Sequence, residues 1–120
     1  MRRAILSVLL AATFGGLAAP VRADVTAEQV RQAIDRAIKY LELQQKADGS
    51  FQPGYEQQRG GVTALCTLAL LNAGVEPDDE HVRRALNYLE TIRPEKTYVV
   101  SLQIMVFAEA SPERYRNEIA

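Results

Sequence analysis

Between Thr26 and Ala110 the apolar residues fall into four blocks, and the blocks alternate between two kinds. In the first, Val30, Ala33, Ile34, Ala37, Ile38 and Leu41 step by three and four, which lines one face of a helix. Arg31, Asp35, Arg36, Lys39 and Glu42 make its charged back. Thr26 followed by Gln29 has the spacing of a capping box, so the helix is predicted from about Ala27 to Lys46. Asp48-Gly49-Ser50 breaks it, and Phe51 to Arg59, with Pro53 and Gly54, reads as an ordered loop.

The second block, about Gly61 to Ala73, has almost no polar face: only Thr63 and Thr67 interrupt it before Asn72, and Gly74 is placed as a C-terminal cap. A helix apolar nearly all round must be covered nearly all round. Pro77-Asp78-Asp79 opens the third, with Val82, Ala85, Leu86, Leu89 and Ile92 on one side and Arg83, Arg84, Asn87 and Glu90 opposite; Pro94 ends it. The fourth, Tyr98 to Ala110, is again apolar on most faces.

Amphipathic, apolar, amphipathic, apolar is the order that two concentric layers of helices require. The odd helices meet water on one side, while the even ones are lined by neighbours on both. A free four-helix bundle would give all four a single stripe. An open solenoid competes with a closed double-layered barrel, which is the arrangement expected here. Ser111-Pro112-Glu113 then has the cap, first-position Pro and early acid of a fifth helix start. Only Arg114 to Ala120 follow, barely two turns, and a helix that short is marginal without a partner. Residues 24–120 are therefore expected to be the incomplete N-terminal part of a longer repeat domain, needing further repeats to close its apolar faces.

Composition changes the picture at the N-terminus. Met1-Arg2-Arg3 precedes an uncharged run from Ala4 to Ala19, and Val21-Arg22-Ala23 supplies a small-x-Ala pattern, so residues 1–23 read as a signal peptide cleaved between Ala23 and Asp24. The run is broken by Gly15-Gly16 and falls short of the roughly 20 residues a spanning helix needs, so no stable membrane span is expected. Export to the periplasm or the extracellular space follows. Without Arg2, Arg3 and Arg22 the chain carries 11 basic and 15 acidic residues and no basic block, which sets nucleic acid aside as a partner. The single cysteine, Cys66, rules out an internal disulfide framework and reads as a small hydrophobe in its apolar helix.

Half of the first helix returns 48 residues on, Arg36-Ala37-Ile38-Lys39-Tyr40-Leu41-Glu42 against Arg84-Ala85-Leu86-Asn87-Tyr88-Leu89-Glu90. With its downstream residues, the first copy resembles the QW motif of the prenyltransferase and squalene cyclase repeat family: Arg36, Ala37, Tyr40, Leu41, Gln45 and Gly49 match in register. Phe51 stands where Trp is usual. The second copy keeps Arg84, Ala85, Tyr88 and Leu89, but Arg93 replaces Gln and Pro94 removes the Gly-x-Trp end. The resemblance, which covers residues 27–110, implies an all-α fold, an α/α toroid of outer amphipathic and inner apolar helices. In particular the chain looks like the exported bacterial proteins that carry these repeats. It also implies that the Gln amide bonds free backbone groups at helix ends while the following aromatic stacks on it, so Gln45 and Phe51 are fold residues first.

Little in the chain points to chemistry. No Asp-x-Asp-Asp acid of squalene-type cyclases occurs, and Asp78-Asp79 after Pro77 reads as a helix cap. His81, the only histidine, has Asp79 and Glu80 beside it, but near neighbours on a helix point apart and make a poor ligand set. Gly60-Gly61 reads as a tight loop exit rather than an anion cradle. No cofactor, metal or catalytic residue is assigned. The expected function is a non-catalytic binding or scaffold module for a protein, a glycan or an apolar ligand. The alternatives are a terpenoid cyclase or prenyltransferase-like enzyme, or a polysaccharide lyase or hydrolase, with the active site in repeats beyond residue 120.

Overall fold

The computed structural model describes residues 24–51 and 59–120, and the expected signal peptide, its expected cleavage at Ala23 and the expected loop with Pro53 and Gly54 lie outside them. The described residues are all-helical: α1 (Ala27–Gln44), α2 (Gly61–Asn72), α3 (Glu80–Glu90), α4 (Thr97–Ala110) and the short α5 (Arg116–Ile119). Among them, no helix is long and apolar enough to cross a membrane.

Local signals set most of the boundaries. The Thr26 hydroxyl accepts the Gln29 N–H while the Gln29 side chain accepts the Thr26 N–H, so both halves of the capping box form. Gly74, at φ +92°, takes the left-handed conformation that ends α2 at little steric cost. The Asp79 carboxylate accepts the His81 N–H at 2.8 Å, so Asp79 of the acid pair caps α3. Two ends differ from expectation. Helix α1 stops at Gln44 rather than Lys46, because Gln45 turns to extended backbone (ψ 133°) and its side chain leaves the helix for other partners. Helix α5 starts at Arg116, and Pro112 to Tyr115 form a turn instead of the first helical residues. The reason is Tyr115: its buried ring stacks on Phe107 at 4.4 Å, and that contact prevails over the cap signal.

The two apolar helices, α2 and α4, make the most extensive contact in the fold; α3 packs on α2, α5 on α4, and α1 touches α2 only lightly. The core gathers Phe51, Ala64 and Leu70 with Val82, Ala85, Leu86 and Leu89 of α3 and Leu102, Val106 and Phe107 of α4. The polar interruptions of α2 turn inward. Thr63 and Thr67 are buried, with the Thr67 hydroxyl donating to the Thr63 carbonyl at 2.7 Å and the Thr63 hydroxyl accepting the Phe51 N–H at 3.1 Å.

The expected cover on both sides of α2 and α4 is not supplied by the described residues. Leu65 of α2 is 50% exposed and Met105 of α4 52%. Helix α1 buries no residue fully; Ile38 and Leu41 rest on the core while Val30 and Ile34 are 46% and 41% exposed. Three helices thus keep open apolar sides.

Candidate functional site

The densest polar cluster among the described residues joins the end of α1 to the start of α3. The turn after α1 is built first. Asp48 accepts both the backbone N–H and the hydroxyl of Ser50, at 2.9 and 2.7 Å, and these bonds hold its carboxyl below the usual carboxylate range. Gly49 sits at φ +88°, with its α-carbon so close to α3 that a β-carbon would run into the Arg84 carbonyl. Only glycine lets this turn reach the helix. Ser50 and Phe51 then enter the interior.

Gln45 closes the joint. Its Nε2 donates to the Gly49 carbonyl at 3.0 Å and to the His81 carbonyl at 2.8 Å. Its Oε1 accepts from the Arg84 guanidinium at 3.0 Å and lies 2.8 Å from Nδ1 of His81. Reversing the amide would set oxygen against two carbonyls and nitrogen against a guanidinium, so only one orientation satisfies the cluster. Because Oε1 accepts and never donates, Nδ1 of His81 carries its hydrogen. All four hydrogen-bonding positions of the amide are then in use. The Arg84 head is held from one side only: its Nε is buried without a hydrogen-bond partner, with the Glu80 carboxylate at 3.9 Å.

A second joint lies at the other end of α3. Gln103, in the middle of α4 and 7% exposed, donates from Nε2 to the Leu89 carbonyl at 2.6 Å and more loosely to that of Ile92 at 3.4 Å. The Leu89 carbonyl belongs to the last turn of α3, where it also accepts the Ile92 N–H at 3.1 Å, and Ile92 lies two residues past the helix. Nearby, Glu90 Oε1 accepts from the Tyr115 hydroxyl at 2.8 Å and from Arg114 at 2.9 Å. Burial, then the hydrogen bond to Glu90 and its charge, push the Tyr115 hydroxyl up to about 12.

The residues singled out in the sequence separate into two groups. Gln45, Gly49, Phe51, Arg84, Ala85 and Leu89 come together at the α1–α3 joint and in the core behind it. Leu41 and Tyr88 pack at the edge of that core. Arg36, Ala37 and Tyr40 stand exposed on α1, and Asp24 is exposed ahead of it. Gln45 does bond backbone carbonyls, but one belongs to its own turn and the other to the first turn of α3. Phe51 goes into the core.

His81 and Gln103 were missed. A lone amide between Leu102 and Ile104 in an otherwise apolar helix is the signal that marks Gln103, since a buried amide must find a partner. Nothing near His81 in the chain announces that it faces Gln45, 36 residues away. Cys66 is half-buried against the core, and burial pushes its thiol up, away from the reactive thiolate. Among the described residues, no three His, Cys, Asp or Glu side chains group as a metal site. No family model, curated protein or solved structure matches the chain.

Proposed function

We propose that the chain is an exported α/α-toroid repeat protein of the prenyltransferase and squalene cyclase repeat kind, acting as a non-catalytic binding or scaffold module. The observation that carries this reading is the Gln45 joint. One amide spends both donors and both lone pairs holding the turn after α1 against the first turn of α3, which is the linkage a stack of helical hairpins needs. A residue saturated in this way serves the fold and has nothing left for a substrate.

The open sides of α1, α2 and α4 give the second support. In a ring of outer and inner helices such sides face neighbouring repeats or a bound partner, here a protein, a glycan or an apolar ligand. Export rests on the basic start, the apolar run and Val21-Arg22-Ala23. Expression of the full chain in a bacterial host, followed by N-terminal mass spectrometry of each fraction, tests it. A soluble exported chain beginning at Asp24 supports the reading, and intact Met1 in the membrane pellet contradicts it. Turnover of an isoprenoid diphosphate or a glycan by the purified chain would overturn the non-catalytic role.

A further inference from the structure

A cleft of about 430 Å³ lies where the end of α3, the start of α4 and the residue leading into α2 meet. Gly60 makes the corner. A β-carbon there would stand 3.4 Å from Cγ2 of Ile92, so the entry to α2 lies against the end of α3 and brings Arg59 to it. Arg93 and Lys96 line the same cleft from the connection between α3 and α4. Arg59 is far from the other two in the chain, so the sequence shows no basic block where the fold assembles one.

The charge of this lining is one-sided. Three cations stand against one carboxylate, that of Glu95, which leaves a surplus of two positive charges. None of the four forms an ion pair with a described residue. Arg93 also borders the neighbouring cleft, where Glu90 is engaged by Arg114 and Tyr115 and Glu118 forms no ion pair with it. A cleft lined by one sign of charge concentrates the opposite sign from solution. The helix ends beside it do not cancel that field. At the negative end of α3, Thr91 answers the Tyr88 carbonyl and Gln103 the Leu89 carbonyl. At the positive end of α4, Lys96 gives the first turn no side-chain cap, which adds to the side chains that carry the site. We propose that this cleft binds the phosphate of a small phosphate monoester. Two guanidiniums and an ammonium offer a charged donor to each of its three terminal oxygens, and its nearly double negative charge matches the surplus. Ile92 and Pro94 leave an apolar wall for a short organic stem. The site is independent of the repeat-family reading, since it rests on the corner between α2, α3 and α4 alone.

The test is a nuclear magnetic resonance titration of the full chain with glycerol 3-phosphate at neutral pH, low ionic strength and one fixed protein concentration. Acetate, inorganic phosphate and glycerol are the controls. The expected result is saturable shifts of the Arg93, Lys96 and Val99 backbone amides, with the ester bound about tenfold more tightly than acetate and about threefold more tightly than inorganic phosphate, and no shifts with glycerol. Arg93, Glu95 and Lys96 are exposed, so each can be changed without touching the core. Arg93→Gln and Lys96→Gln should each weaken binding about threefold, and Glu95→Gln should strengthen it by a similar factor. Lys39→Gln, exposed on α1, should leave it unchanged. Unsaturable shifts spread over the surface, acetate or inorganic phosphate bound as tightly as the ester, or equal effects of Lys39→Gln and Lys96→Gln overturn the proposal.

Discussion

Replacing Gln45 by Ala removes one amide and takes a partner from four groups: two carbonyls, a guanidinium hydrogen and the Nδ1 hydrogen of His81, of which the His81 carbonyl, in the first turn of α3, keeps its place in the helix ladder. Each such bond contributes about 0.5–1.5 kcal/mol net. They do not sum, because the site is half-buried and water re-engages the outer members once the amide is gone. The innermost carbonyl, that of Gly49 in a buried turn, remains the costly one. A loss of about 2 kcal/mol is expected, which moves a urea midpoint by roughly 1 M at the slopes usual for small domains. Gln44, exposed at the end of α1, is the matched control, and Gln44→Ala should stay within about 0.5 kcal/mol. The assay is urea unfolding by circular dichroism at one fixed protein concentration. A double-mutant cycle with His81→Ala should show a coupling of about 0.5 kcal/mol or more, since the two share a bond. Equal midpoints for the Gln44 and Gln45 variants, or strict additivity with His81→Ala, would refute the joint.

Three further outcomes are expected. Gly49→Ala meets both a positive φ and the Arg84 carbonyl, so it should cost about 3 kcal/mol or more, whereas Gly74→Ala, at φ +92° with open space around it, should cost about 1 kcal/mol; similar losses in urea melts would mean that the turn does not press on α3. The folded chain holds the Tyr115 proton more tightly than the unfolded one, so the stability it contributes is intact below the ordinary phenol range near 10 and is lost as pH rises toward about 12; Tyr115→Phe should flatten that alkaline loss in pH-dependent melts. Thr26→Ala breaks the capping box and should cost about 1 kcal/mol, read as fraying of the first turn of α1 by hydrogen exchange.

Local chemistry made most of the helices legible. Capping residues, a left-handed glycine and the three-four step each act within a few residues of the chain, which is why the starts of α1 and α3 and the end of α2 could be read from the sequence. The residues that failed are those whose place is decided by distant partners. Ser111-Pro112-Glu113 carries a good start signal, yet the stacking of Tyr115 on Phe107 holds the segment in a turn. Thr63 and Thr67, the polar interruptions of α2, lie inside as a helix covered nearly all round requires, but their partners, a neighbouring carbonyl and the Phe51 N–H, are visible only in the fold. In the joint, Gln45, Gly49 and Arg84 stood out in the chain, while His81 and Gln103 gained their roles only when α3 came to lie between the end of α1 and the middle of α4.

The central claim is that these hairpins are repeat units whose open apolar sides are made for neighbours. Light scattering across a concentration series of residues 24–120 tests it most directly. The account expects a mass above that of one chain, falling toward it on dilution, and a shift to the single-chain mass when Ile34→Lys, Leu65→Lys and Met105→Lys place charge on those sides. A single-chain mass for the unaltered protein at every concentration would contradict it.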